Sequence, residues 1–364
     1  MTKHTADHIL LLTVVSLTLF GLIMVASASS VIASRFSDDA HYFAWHQVAY
    51  GGSVGFVMFL VGIFVPYRTW RLAALPALLV SLLLLVLVFI PGLQVSSGGA
   101  VRWIGIGPIT LQPTEITKLA FIIYLAALLE KKGGDVRDFR KSVVPFVIIT
   151  GLISLLVILQ PDIGTLISIT AIAFAMVYAA GFRVMHLMII LLGGASVFAV
   201  LLNTARYRLE RIMVYLHPEL DPQGIGYQIN QALLAVGTGG LWGLGLGRSR
   251  QKYYYLPEPA GDSIFAIVAE ELGFVRTSLV LAAFGIIAWR GYAIARSAPD
   301  VFGSLLAVGI TSWIVVQAFI NMGAILAIVP LTGIPLPFVS YGGSALASLL
   351  FAVGVLLNIS KHTS

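Results

Sequence analysis

"LAALPALLVSLLLLVLVFI", Leu72 to Ile90, contains no charged residue and only one side chain, Ser81, able to hydrogen-bond. As a helix its 19 residues rise about 28 Å, nearly the thickness of a bilayer's hydrocarbon core. No soluble helix needs an apolar surface all the way round, so this stretch reads as a membrane span.

The rest of the chain agrees. Its 364 residues are 59% hydrophobic and 10% charged, with a mean hydropathy of +0.96, whereas a soluble domain carries about 25% charge. The same ruler marks apolar segments at 9–28, 47–66, 72–91, 113–130, 143–160, 163–180, 184–203, 263–289, 301–329 and 342–359. The expected fold class is an all-α integral membrane protein of about ten transmembrane helices, one polytopic unit over 1–364. Lys3 and the "ASAS" at 26–29 imitate a secretion signal, but the apolar run between them is too long for one, so the first span is read as uncleaved. There is no cysteine, which excludes disulfides and thiolate metal sites. The seven histidines show no metal-ligand spacing, so no protein-built metal site is expected.

The net charge of +6 is a topology signal rather than a nucleic-acid one. Alternate short connections hold Lys3, Arg68, Arg71, Lys131, Lys132, Arg137, Arg140, Lys141, Arg183, Arg290, Arg296 and Lys361. The other short connections hold little beyond Arg35 and Arg102. The positive-inside rule then puts both termini in the cytoplasm. Five segments face outward: 29–46, 92–112, 160–162, a long loop at 204–262 between the seventh and eighth spans, and 330–341. The unusual polar and Gly/Pro motifs gather there, which places any chemistry at the outer face. Within the long loop, "YQINQALLAVG" from Tyr227 has the pattern of an interfacial helix anchored by Tyr227, Leu233 and Leu234.

Ionisable groups in or beside spans are the candidates for function, because an unpaired charge in hydrocarbon is costly. Pro113 suits the first position of a helix, which puts Glu115 in the first turn and Lys118 on the same face. The pair is either a local ion pair or a lysine held at an external cavity for an anionic substrate. Asp162 is a helix cap, a cavity residue, or both. Arg102 and Trp103 stand in a Gly-rich outward loop, where Trp103 equally suits a membrane anchor. "GTGGLWGLGLGRS", 237–249, lacks the ending of a P-loop; its glycines allow tight turning, and Arg248, Arg250 and Lys252 follow. That basic segment suits a pyrophosphate or anionic lipid headgroups.

Four carboxylates lie in "LPEPAGDSIFAIVAEELGF", Leu256 to Phe274. Prolines 257 and 259 keep Glu258 out of a helix, and Asp262 begins the eighth span as its cap or as a reactive group. On one continuous helix Glu270 lies about 80° round from Asp262 and about 12 Å deeper, and Glu271 about 180° away. These two are expected to be structural, with Arg276 a candidate partner.

"MVASASS", "GGAVRWIGIGPITLQPTEITKLA", "LQPDIGT", "GIGYQINQALLAVGTGGLWGLGLGRSRQKYYYLPE", "FAIVAEELGF" and "PLTGIPLPFVSYGGSALASLL" together resemble the SEDS family of bacterial shape, elongation, division and sporulation proteins. The blocks keep family order over essentially the whole chain, and "GLGLGRSRQKYYYLPE" looks more like the FtsW (division) branch than the RodA (elongation) branch. The resemblance implies a multi-pass protein of the bacterial cytoplasmic membrane, a peptidoglycan glycosyltransferase that polymerises lipid II at the outer face. It implies a class B penicillin-binding protein as partner, with other division or elongation proteins. Asp262 occupies the place of the family's proposed catalytic aspartate. Glu115, Lys118, Arg102, Trp103, Asp162, Arg248, Lys252, Glu258 and Ser340 are then the candidate substrate-binding residues, and a divalent cation (Mg²⁺ or Mn²⁺) the candidate companion of the substrate pyrophosphate. The family pattern LPE-A-H-T-D-F departs here, with Ala260, Gly261 and Ser263 replacing its His, Thr and Phe, and with Arg276 where a small residue is usual. Rival classes are a lipid II flippase, with Glu270, Glu271 and Arg276 as its polar path, and a non-catalytic scaffold.

Overall fold

The computed structural model describes residues 5–34, 39–97, 100–106, 109–204, 210 and 213–363. Lys3 and Arg35 of the topology argument lie outside the described residues. A helix forms at each expected apolar segment: α1 (His8–Ala33), α2 (Tyr42–Phe64, with a π-helical turn at Gln47–Gly52), α3 (Trp70–Leu87), α4 (Pro113–Lys132), α5 (Val144–Leu159), α6 (Ile163–Ala179) and α7 (Val184–Thr204). The series continues with α8 (Ile225–Gly239), α9 (Ile264–Ser297), α10 (Val301–Ile325) and α11 (Gly343–Ser360). The chain is a multi-pass helical membrane protein. Among the described residues seven helices are long and apolar enough to cross a bilayer. Of the rest, α6 is short at 17 residues, and α4 is diluted by Glu115, Lys118, Glu130, Lys131 and Lys132.

Helix starts follow their capping residues. Asp7 accepts from the Leu10 N–H, Asp162 from the Thr165 N–H and Asp300 from the Gly303 N–H, while Pro113 takes the first position of α4. Helices α10 and α11 are the buried centre of the bundle. The α11 backbone meets α2 closely at small residues: a Cβ on Gly354 would lie 2.5 Å from the Phe59 carbonyl. Without a hydrophobic drive in lipid, such backbone contact is what holds helices together.

One end of the bundle gathers the termini and paired charges. Arg290 binds Asp7 at 2.5 Å, Arg68 binds Asp300 at 2.9 Å and Arg71 binds Glu130 at 3.2 Å. The other end holds irregular backbone. There the 92–112 segment, unresolved as structure by the sequence pattern, forms a small antiparallel sheet of β1 (Gln94–Ser97), β2 (Ala100–Ile106) and β3 (Ile109–Leu111), with Val95 opposite Trp103 and Ile104 opposite Leu111.

The expected eighth span needs correction. Helix α9 breaks at Gly273 (φ 74°, ψ 176°) into pieces at 264–272 and 274–297. Glycine is required twice over, since its φ is left-handed and a side chain would run into the backbone of Trp242 and Gly243. The first piece does not descend into the membrane. Ser27, twenty residues along α1 from Asp7, bonds Glu271, and Asn321, twenty-one along α10 from Asp300, bonds the Asp262 carbonyl. At 1.5 Å per residue, both ends of this short helix lie about 30 Å from the terminal end. It therefore lies across the bundle end, with Glu270 displaced sideways from Asp262.

Candidate active site

Four of the five segments expected to face outward converge on Asp262. Its loop is shaped first by Glu258, which the flanking prolines hold out of a helix and which adopts a left-handed φ of 47°. The Glu258 carbonyl accepts from the N–H groups of Gly261 (3.0 Å) and Ser263 (3.3 Å), closing a tight turn. The loop is then tied to 330–341. Tyr341 N–H donates to the Ala260 carbonyl at 2.8 Å, and the Ser340 hydroxyl donates to Gly261 at 2.8 Å. Ser340 also accepts from the Leu336 N–H, so its hydroxyl is committed to this clasp rather than open to substrate.

Arg102, on β2, reaches the same place. Its guanidinium donates to the carbonyls of Gln160 (3.4 Å) and Pro161 (2.5 Å), fixing the α5–α6 turn. A Cβ placed on Gly333 would stand 3.7 Å from Arg102 Nη1 and 3.7 Å from Asp262 Oδ2. A bare glycine, with φ 70°, thus separates the fixed cation from the carboxylate. Trp103, next along the strand and so on its other face, is half-buried and does not share this position.

Asp262 keeps part of its surface open. Burial of its carboxyl and then the nearby Glu258 charge push its pKa from 3.8 to about 6. Helix α9 starts at Ile264 with Ser263, not Asp262, in the cap position, and among the described residues the side-chain donor to Asp262 is Ser263 at 3.5 Å. The cap alternative is therefore removed. A carboxylate with this pKa is half ionised near pH 6 and can take a proton at neutral pH.

The other candidates sit elsewhere. Lys118 is wholly buried, donating to Glu115 Oε1 at 2.7 Å and to Gln317 Oε1 at 2.6 Å, with its ammonium 5.0 Å over the Trp313 ring. Its ammonium is turned to these buried partners and away from the surface. Asp162 is 3% exposed and takes both the N–H and the hydroxyl of Thr165, so it is a cap. Lys252 is buried too, donating to Glu271, Ser27 and the Gly247 carbonyl, and is unavailable to a pyrophosphate. Arg248 and Arg250 are exposed, at the far end of the 264–272 helix from Asp262.

Glu270 and Glu271, both wholly buried, hold that basic loop in place. Glu270 accepts from the Ser249 hydroxyl (2.5 Å) and the Arg250 N–H (3.0 Å); Glu271 accepts from Ser27 (2.7 Å), Ser249 N–H (3.2 Å) and Lys252 (3.2 Å). Arg276 is not their partner. It is exposed and donates to the Trp242 carbonyl. The amphipathic helix α8 forms as its pattern predicts, packing Ile229, Ala232 and Ala235 inward and leaving Leu233 and Leu234 exposed.

Two residues were overlooked in the sequence. Gln317 Nε2 donates to the Pro335 carbonyl at 3.0 Å, and Asn321 Nδ2 to the carbonyls of Asp262 (2.7 Å) and Ile334 (2.8 Å). Their signal was available: Trp313, Gln317 and Asn321 recur every four residues along an otherwise apolar helix.

Comparison with known proteins agrees with this geometry. The family model FtsW/RodA/SpoVE, described as cell cycle protein, matches residues 7–364. Stage V sporulation protein E of Bacillus subtilis (strain 168) is 46% identical over 100% of this chain and 99% of its own. A probable peptidoglycan glycosyltransferase FtsW of Trichlorobacter lovleyi is 43% identical over 97% of this chain and 93% of its own. Among solved structures, a chain from "Structural coordination of polymerization and crosslinking by a peptidoglycan synthase complex" superposes with TM-score 0.81 at 26% identity, covering 98% of this chain and 97% of that one. The rod shape determining protein RodA of Thermus thermophilus superposes with TM-score 0.71 at 26% identity over 98% and 96%. A full-length match to the family model, relatives above 40% identity and this helical frame lead to one assignment: the chain belongs to the FtsW/RodA/SpoVE family of cell cycle proteins, the SEDS proteins.

Proposed function

We propose that this chain is a peptidoglycan glycosyltransferase that polymerises lipid II at the outer face of the bacterial cytoplasmic membrane, with Asp262 as its base. The observation that carries the reading is the setting of Asp262, a carboxylate of pKa about 6 where four irregular segments meet, at the end of the bundle opposite the paired basic residues. The positive-inside rule makes that end the outer one.

Chain growth joins the acceptor GlcNAc 4-oxygen to the anomeric carbon of the donor MurNAc. Asp262 accepts the hydroxyl proton as the O4–C1 bond forms. The bond from C1 to the phosphate oxygen breaks, and undecaprenyl pyrophosphate leaves with the electron pair. Arg102 supplies fixed positive charge beside the base, where it favours the anionic donor. A divalent cation would travel with the pyrophosphate. A two-step retaining route needs a second free carboxylate about 5 Å away. Glu115 is committed to Lys118 and Asp162 to Thr165, so Glu258, whose charge acts on Asp262, is the carboxylate such a route would use. The partner is a class B penicillin-binding protein, as the resemblance to a synthase complex suggests, so that the growing strand meets its crosslinking enzyme.

The flippase reading loses its best support, because Glu270, Glu271 and Lys252 close on one another and Arg276 lies outside. Reconstitution with the partner in vesicles, with lipid II supplied on the outer side, is the test. Glycan polymer supports the transferase. Labelled lipid II crossing the bilayer without polymer would identify a flippase, and neither product would leave a scaffold.

A further inference from the structure

Helix α10 reaches the candidate base through two neutral amides that no expectation from charge singled out. Asn321 is 2% exposed, and its Nδ2 has two acceptors, the Asp262 and Ile334 carbonyls. With a carbonyl on each side, only the amide nitrogen fits there, so the side-chain orientation is determined. Ile334 adjoins Gly333, the bare position between Arg102 and the Asp262 carboxyl. One side chain thus fixes both the backbone that carries the base and the backbone that spaces it from the cation.

One helical turn earlier, wholly buried Gln317 repeats the device. Its nitrogen donates to Pro335, and its oxygen accepts from Lys118 and from the Trp313 indole at 2.8 Å. The Lys118–Glu115 ion pair, which the reaction as described does not use, thereby anchors the row from below. Burying such a pair is costly, and its connection to the base through Gln317 and Asn321 gives it a purpose.

We propose that Asn321 is a positioning residue for the transferase: it holds Asp262 at its working distance from Arg102 and from the acceptor hydroxyl, with Gln317 and the Lys118–Glu115 pair as its support. This rests on the reading of Asp262 as the base. Among the described residues, the groups near the Asp262 carboxyl are Glu258 and Ser263 from its own loop and Arg102 from β2 across Gly333, with the neutral Asn321 of α10 on its backbone carbonyl. An anion introduced at 321 therefore adds a new charge beside the base.

The test measures lipid II polymerisation by the chain–partner complex, comparing Asn321→Ala, Asn321→Asp and Asp262→Ala with the parent. Each variant is read for kcat, KM, the acid limb of the pH profile, and Tm. Displacement of a catalytic group by about 1 Å costs on the order of 100-fold. Asn321→Ala is expected to lose roughly that factor in kcat with KM little changed. Asn321→Asp keeps the shape but sets a carboxylate oxygen against the two carbonyls, so it is expected to lower Tm and kcat and to move the acid limb to higher pH. Parent-like kcat in Asn321→Ala, or an unmoved acid limb in Asn321→Asp, beside an inactive Asp262→Ala, overturns the proposal alone. An active Asp262→Ala overturns the assignment of the base itself.

Discussion

At the scale of single residues, the account turns on the proton affinity of Asp262. Its folded pKa, about 6, lies above the 3.8 of the free side chain. The group thus favours folding while protonated, below about pH 4, and that contribution is lost as pH rises through 6. Activity runs the other way, since the base works only when ionised. The kcat/KM profile of the parent is expected to fall on the acid side with a midpoint near 6. The Glu258 charge is the second cause of the raised value. Glu258→Gln removes that repulsion, so the acid limb is expected to shift to lower pH, by less than the full displacement because burial is the larger cause. A limb that stays in place would show that the two carboxylates do not interact. This much was legible in the sequence, because Pro257 and Pro259 marked Glu258 as loop and spacing separated Asp262 from Glu270 and Glu271. Gln317 and Asn321 were not legible: a search for charge passes over neutral amides, even at regular helical spacing.

At the scale of elements, the short helix 264–272 joins the two halves of the bundle end that carries Asp262. Asp262 precedes it, Glu270 and Glu271 sit near its end, and Gly273 turns the chain into the membrane. Hydropathy could not reveal the break, because apolar residues continue on both sides of Gly273 and a single glycine is tolerated in a helix. The 94–111 sheet was hidden for a similar reason, its glycine-rich composition reading as loop. Gly273→Ala is expected to prevent stable folding, seen as loss of a monodisperse, thermally cooperative protein in detergent. The Glu271–Lys252 pair gives a graded test. Glu271→Gln leaves a buried ammonium without its counter-charge and is expected to cost about 3–5 kcal/mol. Adding Lys252→Met should recover much of that loss in Tm. If the single variant is as stable as the parent, the clasp is not what holds the 247–252 loop.

At the scale of the whole molecule, the apolar segments made the helical frame readable, and the basic residues made its orientation predictable. Arg71, exposed at the terminal end, and Arg250, exposed at the Asp262 end, report on opposite sides. The natural absence of cysteine allows single-cysteine labelling without background. In intact cells a membrane-impermeant maleimide is expected to label Arg250→Cys and to spare Arg71→Cys; the reverse pattern would invert the topology and remove Asp262 from its substrate. The most direct measurement of all is glycan polymer formed from lipid II by the purified complex, with parent and Asp262→Ala assayed side by side across pH. The account predicts polymer from the parent, falling away below about pH 6, and none from Asp262→Ala. Equal polymer from both would contradict it.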